Sequence, residues 1–313
     1  MKVLVTGGAG YIGGAMVKRL LAENYEVVIL DKKPGGYVGD ILDKELVNKI
    51  MVEEKPDAVM HFAAFIEAGE SMKDPGKYFV NNVIGAQTVI EACIKNNVNK
   101  FVFSSTAAVF AGSDEPLSEE SKISPANFYG QTKLMVENLL EWYGKIYGLK
   151  YAILRYFNAS GAIPDWGEAH QPESHLIPKI LDVSLGKTPE MNMFGNDYPT
   201  PDKTCIRDYI HISDLVDAHL LVLKALEDKS PLIYNLGTGK GYSNLEVVEM
   251  ARQVTGKEIK VNFLPRREGD APRLVASSQK IQTELGWQAK NGLKEIIESA
   301  WAWHKTLNTS PSV

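Results

Sequence analysis

Short runs of consecutive apolar residues recur through the first half of the chain: Val3-Leu4-Val5, Val27-Val28-Ile29-Leu30, Ala58-Val59-Met60-His61-Phe62, Phe101-Val102-Phe103 and Tyr151-Ala152-Ile153-Leu154. Apolar side chains at successive positions leave no polar face, as in strands buried on both sides. Between them lie segments of helical length, Tyr11 to Glu23, Lys44 to Glu54, Lys77 to Asn97 and Tyr129 to Tyr147. Strand and helix alternating in this order predict right-handed crossovers and a parallel sheet covered by helices on both faces.

After Asn158 the rhythm breaks. Residues 159 to 206 hold six of the fifteen prolines (Pro164, Pro172, Pro178, Pro189, Pro199 and Pro201), which predicts irregular structure around one helix near Leu176 to Leu185. Tyr209-Ile210-His211, a helix from Ser213 to Leu226 and a strand at Ile233-Tyr234-Asn235-Leu236 predict a return to the sheet. Residues 243 to 306 then read as helices and a short strand of a second lobe. The expected fold class is α/β, a Rossmann-type doubly wound parallel sheet with a smaller mixed α/β lobe. Its expected division is 1–158 plus about 207–237 for the part built on the parallel sheet, about 159–206 plus 238–306 for the other lobe, and 307–313 as a tail.

Composition narrows the function classes. With 313 residues, 44% hydrophobic and 23% charged, the chain is neither disordered nor fibrous. Lys+Arg number 34 against 39 Asp+Glu, a net charge of -5 with no basic excess to mark a nucleic-acid partner. No run approaches the ~18 apolar residues of a membrane span. Cys93 and Cys205 are too few for a disulfide framework or a thiolate metal cluster, so no metal is expected and a reducing compartment fits. A strand from Lys2 onward leaves no room for a cleaved signal peptide, and the expected location is the cytoplasm.

Candidate chemistry sits at the strand ends. Gly7, Gly10 and Gly13 space a G-x-x-G-x-x-G loop where the first strand turns into the first helix. Glycine there lets the backbone turn sharply and approach a pyrophosphate, beside free N–H groups and the positive end of the helix dipole. Asp31 ends the second strand, where a carboxylate accepts hydrogen bonds from an adenosine ribose and repels a 2′-phosphate. The pair predicts NAD rather than NADP. Tyr129 and Lys133 are four apart, hence on one helix face, where an ammonium favours phenolate and makes the phenol an acid–base near neutrality. Phe103-Ser104-Ser105-Thr106 supplies a hydroxyl at the same carboxyl edge.

The glycine loop, Thr106, Tyr129-x-x-x-Lys133 and Tyr156-Phe157-Asn158 resemble the extended short-chain dehydrogenase/reductases, and within them the UDP-glucose 4-epimerases. The resemblance runs nearly end to end. It is carried furthest by Phe194-Gly195-Asn196-Asp197-Tyr198-Pro199-Thr200, Arg207-Asp208-Tyr209-Ile210-His211, Tyr234-Asn235-Leu236-Gly237 and Arg266-Arg267-Glu268-Gly269-Asp270. It implies Thr106 as the substrate-orienting hydroxyl, Tyr129 as the acid–base, and Lys133 as the residue that binds the nicotinamide ribose and tunes the phenol. It implies an NAD site of Gly7, Gly10, Tyr11, Ile12, Gly13, Asp31, Asp40, Ile41, Phe62, Ala63, Ala64, Asn81, Lys133 and Tyr156. Thr106, Tyr129, Asn158, His175, Leu176, Asn192, Phe194, Arg207, Arg267, Asp270 and Leu274 would hold the UDP-sugar, the arginines suiting two phosphates.

The implied reaction interconverts UDP-galactose and UDP-glucose through a 4-keto sugar, within galactose metabolism. The implied assembly is a homodimer through the helices 77–97 and 129–147. Three departures stand out: Ile66 where some members carry a cofactor-contacting lysine, a short stretch from Asp31 to Asp40, and Leu274 where a tyrosine often closes the pocket beside the sugar's C2 substituent. A leucine leaves room for an acetamido group, which extends the expectation to UDP-GlcNAc/UDP-GalNAc. Neighbouring side chains refilling that space is the alternative. A 4,6-dehydratase needs an acid–base pair after the strand-end threonine, and Ala107 and Ala108 stand there instead. A UDP-uronate 4-epimerase and a non-catalytic NAD sensor are the remaining alternatives; a sensor usually lacks the tyrosine or the lysine, and both are present.

Overall fold

A computed structural model of the chain describes residues 1–170, 173–267 and 270–309. The apolar runs form one seven-stranded sheet in which every pairing is parallel. From one edge its order is Leu232–Leu236, Lys150–Tyr156, Lys100–Thr106, Ala58–His61, Lys2–Thr6, Glu26–Asp31 and Tyr37–Val38. Alternate residues of a strand face opposite sides. Val3 and Val5 join Met16, Leu20, Leu215 and Leu223 on one face, while Leu4 joins Val47, Ile50, Ile90, Val136 and Leu140 on the other. Both faces are thus closed by helices, as the continuous apolar runs require, and the fold is a Rossmann-type α/β sheet.

The helix expected over 77–97 is interrupted. Pro75–Tyr78 and Gly85–Lys95 are joined by a π-helical turn at Phe79–Ile84. The cause is tertiary: Asn82 Oδ1 accepts from the Phe65 N–H at 2.8 Å, while Nδ2 donates to the Phe65 carbonyl at 3.0 Å and to Thr132 Oγ1 at 3.1 Å. The wider turn brings this amide inward, to the loop after Ala58–His61.

The expected return of Tyr209-Ile210-His211 to the main sheet is corrected. That strand, Ile206–His211, pairs with Asn158–Ser160, Gly241–Ser243 and Arg273–Leu274 in a separate sheet. The main-sheet edge is taken by Leu232–Leu236, which leaves no free edge on Lys150–Tyr156 for Ile206–His211 to occupy. A third core forms beside it from Ile180, Leu181, Tyr209, Val247, Val248, Ile296 and Ile297. Helix Leu293–Thr309 runs past the expected end of structure at 306. Among the described residues, no helix is long and apolar enough to cross a membrane.

Candidate active site

The carboxyl ends of the strands open into a cleft of about 720 Å³ between the main sheet and the third core. All the expected site residues line it except Asp40. The Asp40 carboxylate turns away to Lys32, 2.9 Å distant, and accepts from the Leu42 N–H at 3.0 Å. Glu268 and Gly269 of the arginine-rich motif lie outside the described residues.

On the sheet side, Gly7 has φ +73, a left-handed conformation, and a Cβ there would stand 2.7 Å from the Ala63 nitrogen. The loop is therefore built for close backbone approach. Helix Tyr11–Ala22 starts at Gly10 with no side chain capping it, so its first N–H groups stay available to an anion. Asp31 is held at the strand end by the Ala9 N–H at 3.0 Å and the Lys33 N–H at 2.9 Å. Each carboxylate oxygen keeps a lone pair for a ribose hydroxyl. An uncapped glycine turn followed by a fixed carboxylate fits a dinucleotide.

At the cleft floor stand Thr106, Tyr129 and Lys133. Asn127 caps the helix Phe128–Tyr147 by accepting from the Gly130 N–H at 2.9 Å. A Cβ on Gly130 would overlap the Ala108 carbonyl, so glycine is what lets this helix touch the turn after the strand. Lys133 is buried and donates from Nζ to the Ser104 carbonyl at 2.7 Å. Burial pulls its pKa down to about 7, against the opposing carboxylate of Glu137 one helical turn on.

The expected lowering of the phenol is not what the free protein shows. Burial pushes Tyr129 up to about 12; the Thr106 hydrogen bond works the other way, and the Glu67 carboxylate adds to the rise. Lys133 Nζ lies 6.0 Å from the centre of the Tyr129 ring and is committed to a carbonyl rather than to the phenol oxygen. Desolvation outweighs the nearby charge.

Beneath this trio, Glu137 accepts from Arg155 Nη2 at 2.6 Å and from the Ser105 hydroxyl, both charged groups being nearly fully buried. The pair ties the helix to strands Lys100–Thr106 and Lys150–Tyr156, fixing the phenol's position relative to the strand-end hydroxyl.

The opposite wall is polar. The Arg267 guanidinium lies 3.8 Å over the Phe194 ring. Arg207 Nη1 donates to the Ala271 carbonyl at 2.7 Å, and its Nη2 stands 3.8 Å from Asp270. Asn192 accepts from Asn262 at 3.0 Å. His175 Nδ1 bonds Glu173 at 2.8 Å. Burial disfavours its imidazolium, but Glu173 and Glu168 overcome this and raise it to about 9. Leu274 packs against a cluster that includes Ala107, Phe110 and Phe157.

Several lining residues escaped the sequence reading, among them Glu67, Glu168 and His170. Glu168 and His170 carried a signal: Glu168-Ala169-His170 and Glu173-Ser174-His175 repeat one acid-x-His spacing, and both pairs form carboxylate–imidazole contacts. Ligand atoms of Glu168, His170 and His175 come within 4.8 Å of one another.

The NAD dependent epimerase/dehydratase family matches residues 3–237. The UDP-glucose 4-epimerase of Halalkalibacterium halodurans is 47% identical over 320 residues, covering 97% of this chain and 96% of that protein. The structure of UDP-glucose-4-epimerase from Stenotrophomonas maltophila, with bound NAD and formylated UDP-arabinopyranose, superposes with a TM-score of 0.94 at 38% identity over 98% of this chain and 99% of that one. The UDP-Glc/GlcNAc 4-epimerase of Campylobacter jejuni matches with a TM-score of 0.83 at 38% identity, over 97% and 99% of the two chains.

Proposed function

The chain belongs to the NAD dependent epimerase/dehydratase family, and from that premise we propose that it is an NAD-dependent isomerase inverting C4 of a UDP-hexose, interconverting UDP-galactose and UDP-glucose. The observation that carries this is the convergence of Thr106, Tyr129 and Lys133 between a glycine-loop wall and a wall bearing Arg207 and Arg267.

The Gly7–Gly13 loop and Asp31 would hold NAD, which would supply reversible hydride exchange with C4 and end each cycle unchanged. Tyr129 takes the proton of the sugar 4-hydroxyl and later gives it back. Thr106, hydrogen-bonded to the phenol, orients the same oxygen. Lys133, pinned by the Ser104 carbonyl, keeps a donor group beneath the tyrosine. Arg207 and Arg267 hold the diphosphate while the 4-keto sugar turns over. Ala107 and Ala108 offer no acid or base, so water elimination from the sugar has no proton donor after Thr106. Incubating the purified protein with UDP-galactose, with no added reductant, is expected to yield UDP-glucose. An NAD-loaded preparation that leaves UDP-galactose unchanged would overturn the proposal.

The finer parts of the reading follow from the same wall. Leu274 lines the cleft and is smaller than a tyrosine, and on that ground the protein is proposed to turn over UDP-GlcNAc/UDP-GalNAc as a second pair. Leu274→Tyr is expected to lower kcat/KM on the N-acetylated pair by about tenfold or more while sparing the plain hexoses, the discrimination available to a shape change in a pocket. Equal losses on both pairs would show that Leu274 is no gate.

A homodimer in the cytoplasm, serving galactose metabolism, is proposed from the helices that carry Asn82 and Tyr129. They leave Phe79, Val80, Trp142 and Ile146 exposed, the last two by 60% and 64%. Covering such side chains favours association. Light scattering that gives a monomer mass would overturn the dimer. The proposed division of the chain is 1–158 plus about 207–237 against about 159–206 plus 238–306; helix Ile212–Ala225 and strand Leu232–Leu236 support the return to the main sheet, while Ile206–His211 pairs outside it with Gly241–Ser243 and Arg273–Leu274.

A further inference from the structure

We infer that Trp166 is a latch that holds the dinucleotide loop shut, so that release of NAD requires this indole to leave its seat on helix Tyr11–Ala22. The inference rests on the NAD reading above and concerns how the cofactor is retained rather than what it does.

Trp166 sits on a small antiparallel hairpin in which Ala162–Ile163 pairs with Trp166–Gly167. Its ring lies on the first turns of the helix that follows the glycine loop. The seat exists because residue 14 is glycine: a Cβ there would overlap the six-membered ring of the indole. Trp166 Nε1 donates to the Tyr11 carbonyl at 2.9 Å. The Tyr11 hydroxyl donates in turn to the Gly161 carbonyl at 2.6 Å, at the other end of the same hairpin. Tyr11 is therefore gripped twice, through its backbone and through its ring, by residues far away in the chain. Lys18 adds its ammonium 5.9 Å from the indole centre.

A latch needs a fixed anchor. The Ala162 N–H donates to Ser299 Oγ at 3.1 Å, and Trp303 Nε1 donates to the Glu168 carbonyl at 2.8 Å, tying both ends of the hairpin to helix Leu293–Thr309. Gly167 lies where a Cβ would overlap the Trp303 indole, so the hairpin is packed between two helices. One of them belongs to the third core and the other carries the N–H groups of the phosphate loop. Moving the Gly10-Tyr11-Ile12 turn away from a bound pyrophosphate means breaking the Trp166 and Gly161 contacts first. A cofactor restored at every turnover has no reason to leave, and slow release keeps the protein ready for the next sugar.

The test uses the NAD-loaded protein and isotope-labelled NAD as the exchange probe. Trp166 does not line the cleft, so initial turnover at saturating NAD is expected to stay at the wild-type level in Trp166→Phe and Trp166→Ala. Label exchange is expected to be about three- to tenfold faster in Trp166→Phe, which loses one hydrogen bond, and about 100-fold faster in Trp166→Ala, which also loses the packed ring. Gly14→Ala, a favourable helix substitution in itself, is expected to speed exchange by expelling the indole and to have no further effect when combined with Trp166→Ala. This second route keeps the test available if Trp166→Ala does not fold. Wild-type protein that retains label while the folded variants exchange it no faster overturns the latch alone. Wild-type protein that binds no labelled NAD overturns the cofactor reading and the latch with it.

Discussion

Tyr129→Phe is expected to lower kcat by about 10²- to 10⁴-fold, the usual worth of a positioned acid–base. The substitution removes one oxygen and keeps the ring, so the helix start capped by Asn127 and the close contact of Gly130 with Ala108 are left in place. KM for the UDP-sugar should move far less than kcat, because the arginines proposed to hold the diphosphate stand on the opposite wall. Burial holds the phenol up to about 12 in the free protein, so Tyr129 can take the sugar's proton only once it has been ionised, a state that the positive nicotinamide ring of bound NAD would favour. Steady-state kinetics on UDP-galactose decide the matter, and a kcat near that of wild type would remove Tyr129 from the chemistry.

Lys133→Met is expected to be inactive, by at least about 100-fold in kcat, and yet more stable at neutral pH. Burial drags the ammonium from 10.5 to about 7 in the folded protein. The unfolded chain therefore binds a proton that the folded one does not between roughly pH 7 and 10.5. Wild-type stability rises with pH across that window, and the full penalty applies below it. At about 1.4 kcal/mol per pKa unit this is a destabilisation of a few kcal/mol near neutrality, reduced by the hydrogen bond to the Ser104 carbonyl that methionine cannot make. Thermal unfolding of both proteins at several pH values would show the gap between them closing as pH climbs. A methionine variant that melts lower than wild type at pH 7 would mean that the lost hydrogen bond outweighs the buried charge.

What the amino-acid order reveals here is chiefly what local chemistry dictates. Lys44–Glu54 was readable to the residue because Asp43 accepts from the Leu46 N–H and Lys55 takes a left-handed turn, both local events. Gly7, Tyr129 and Lys133 were readable because a loop or a single helix face brings their motifs together. The π-helical turn at Phe79–Ile84 was hidden, since its cause is a hydrogen-bond exchange between Asn82 and Phe65 across the fold. Placing Ile206–His211 in the main sheet failed because an apolar strand does not say which edge it joins. The rise of the Tyr129 pKa was likewise out of reach, because spacing puts an ammonium near a phenol but says nothing of how much water both have lost. Lys133 is held by a backbone carbonyl, for which no residue letter exists.

The strand Leu232–Leu236 has a consequence for synthesis on the ribosome. When residue 158 has left the exit tunnel, every other strand of the main sheet is present, yet Lys150–Tyr156 still lacks its outer neighbour. Ala152 and Leu154 on it await Leu215 and Leu223 of the helix Ile212–Ala225, which has not been made. The nascent chain thus carries an apolar, open-edged sheet until residue 236 emerges, the kind of surface that chaperones bind and that aggregates form on. Translation pauses or premature stops between those two points leave a sticky half-protein rather than an autonomous one, so the burden of this topology falls on the cell's quality control and not on the finished enzyme.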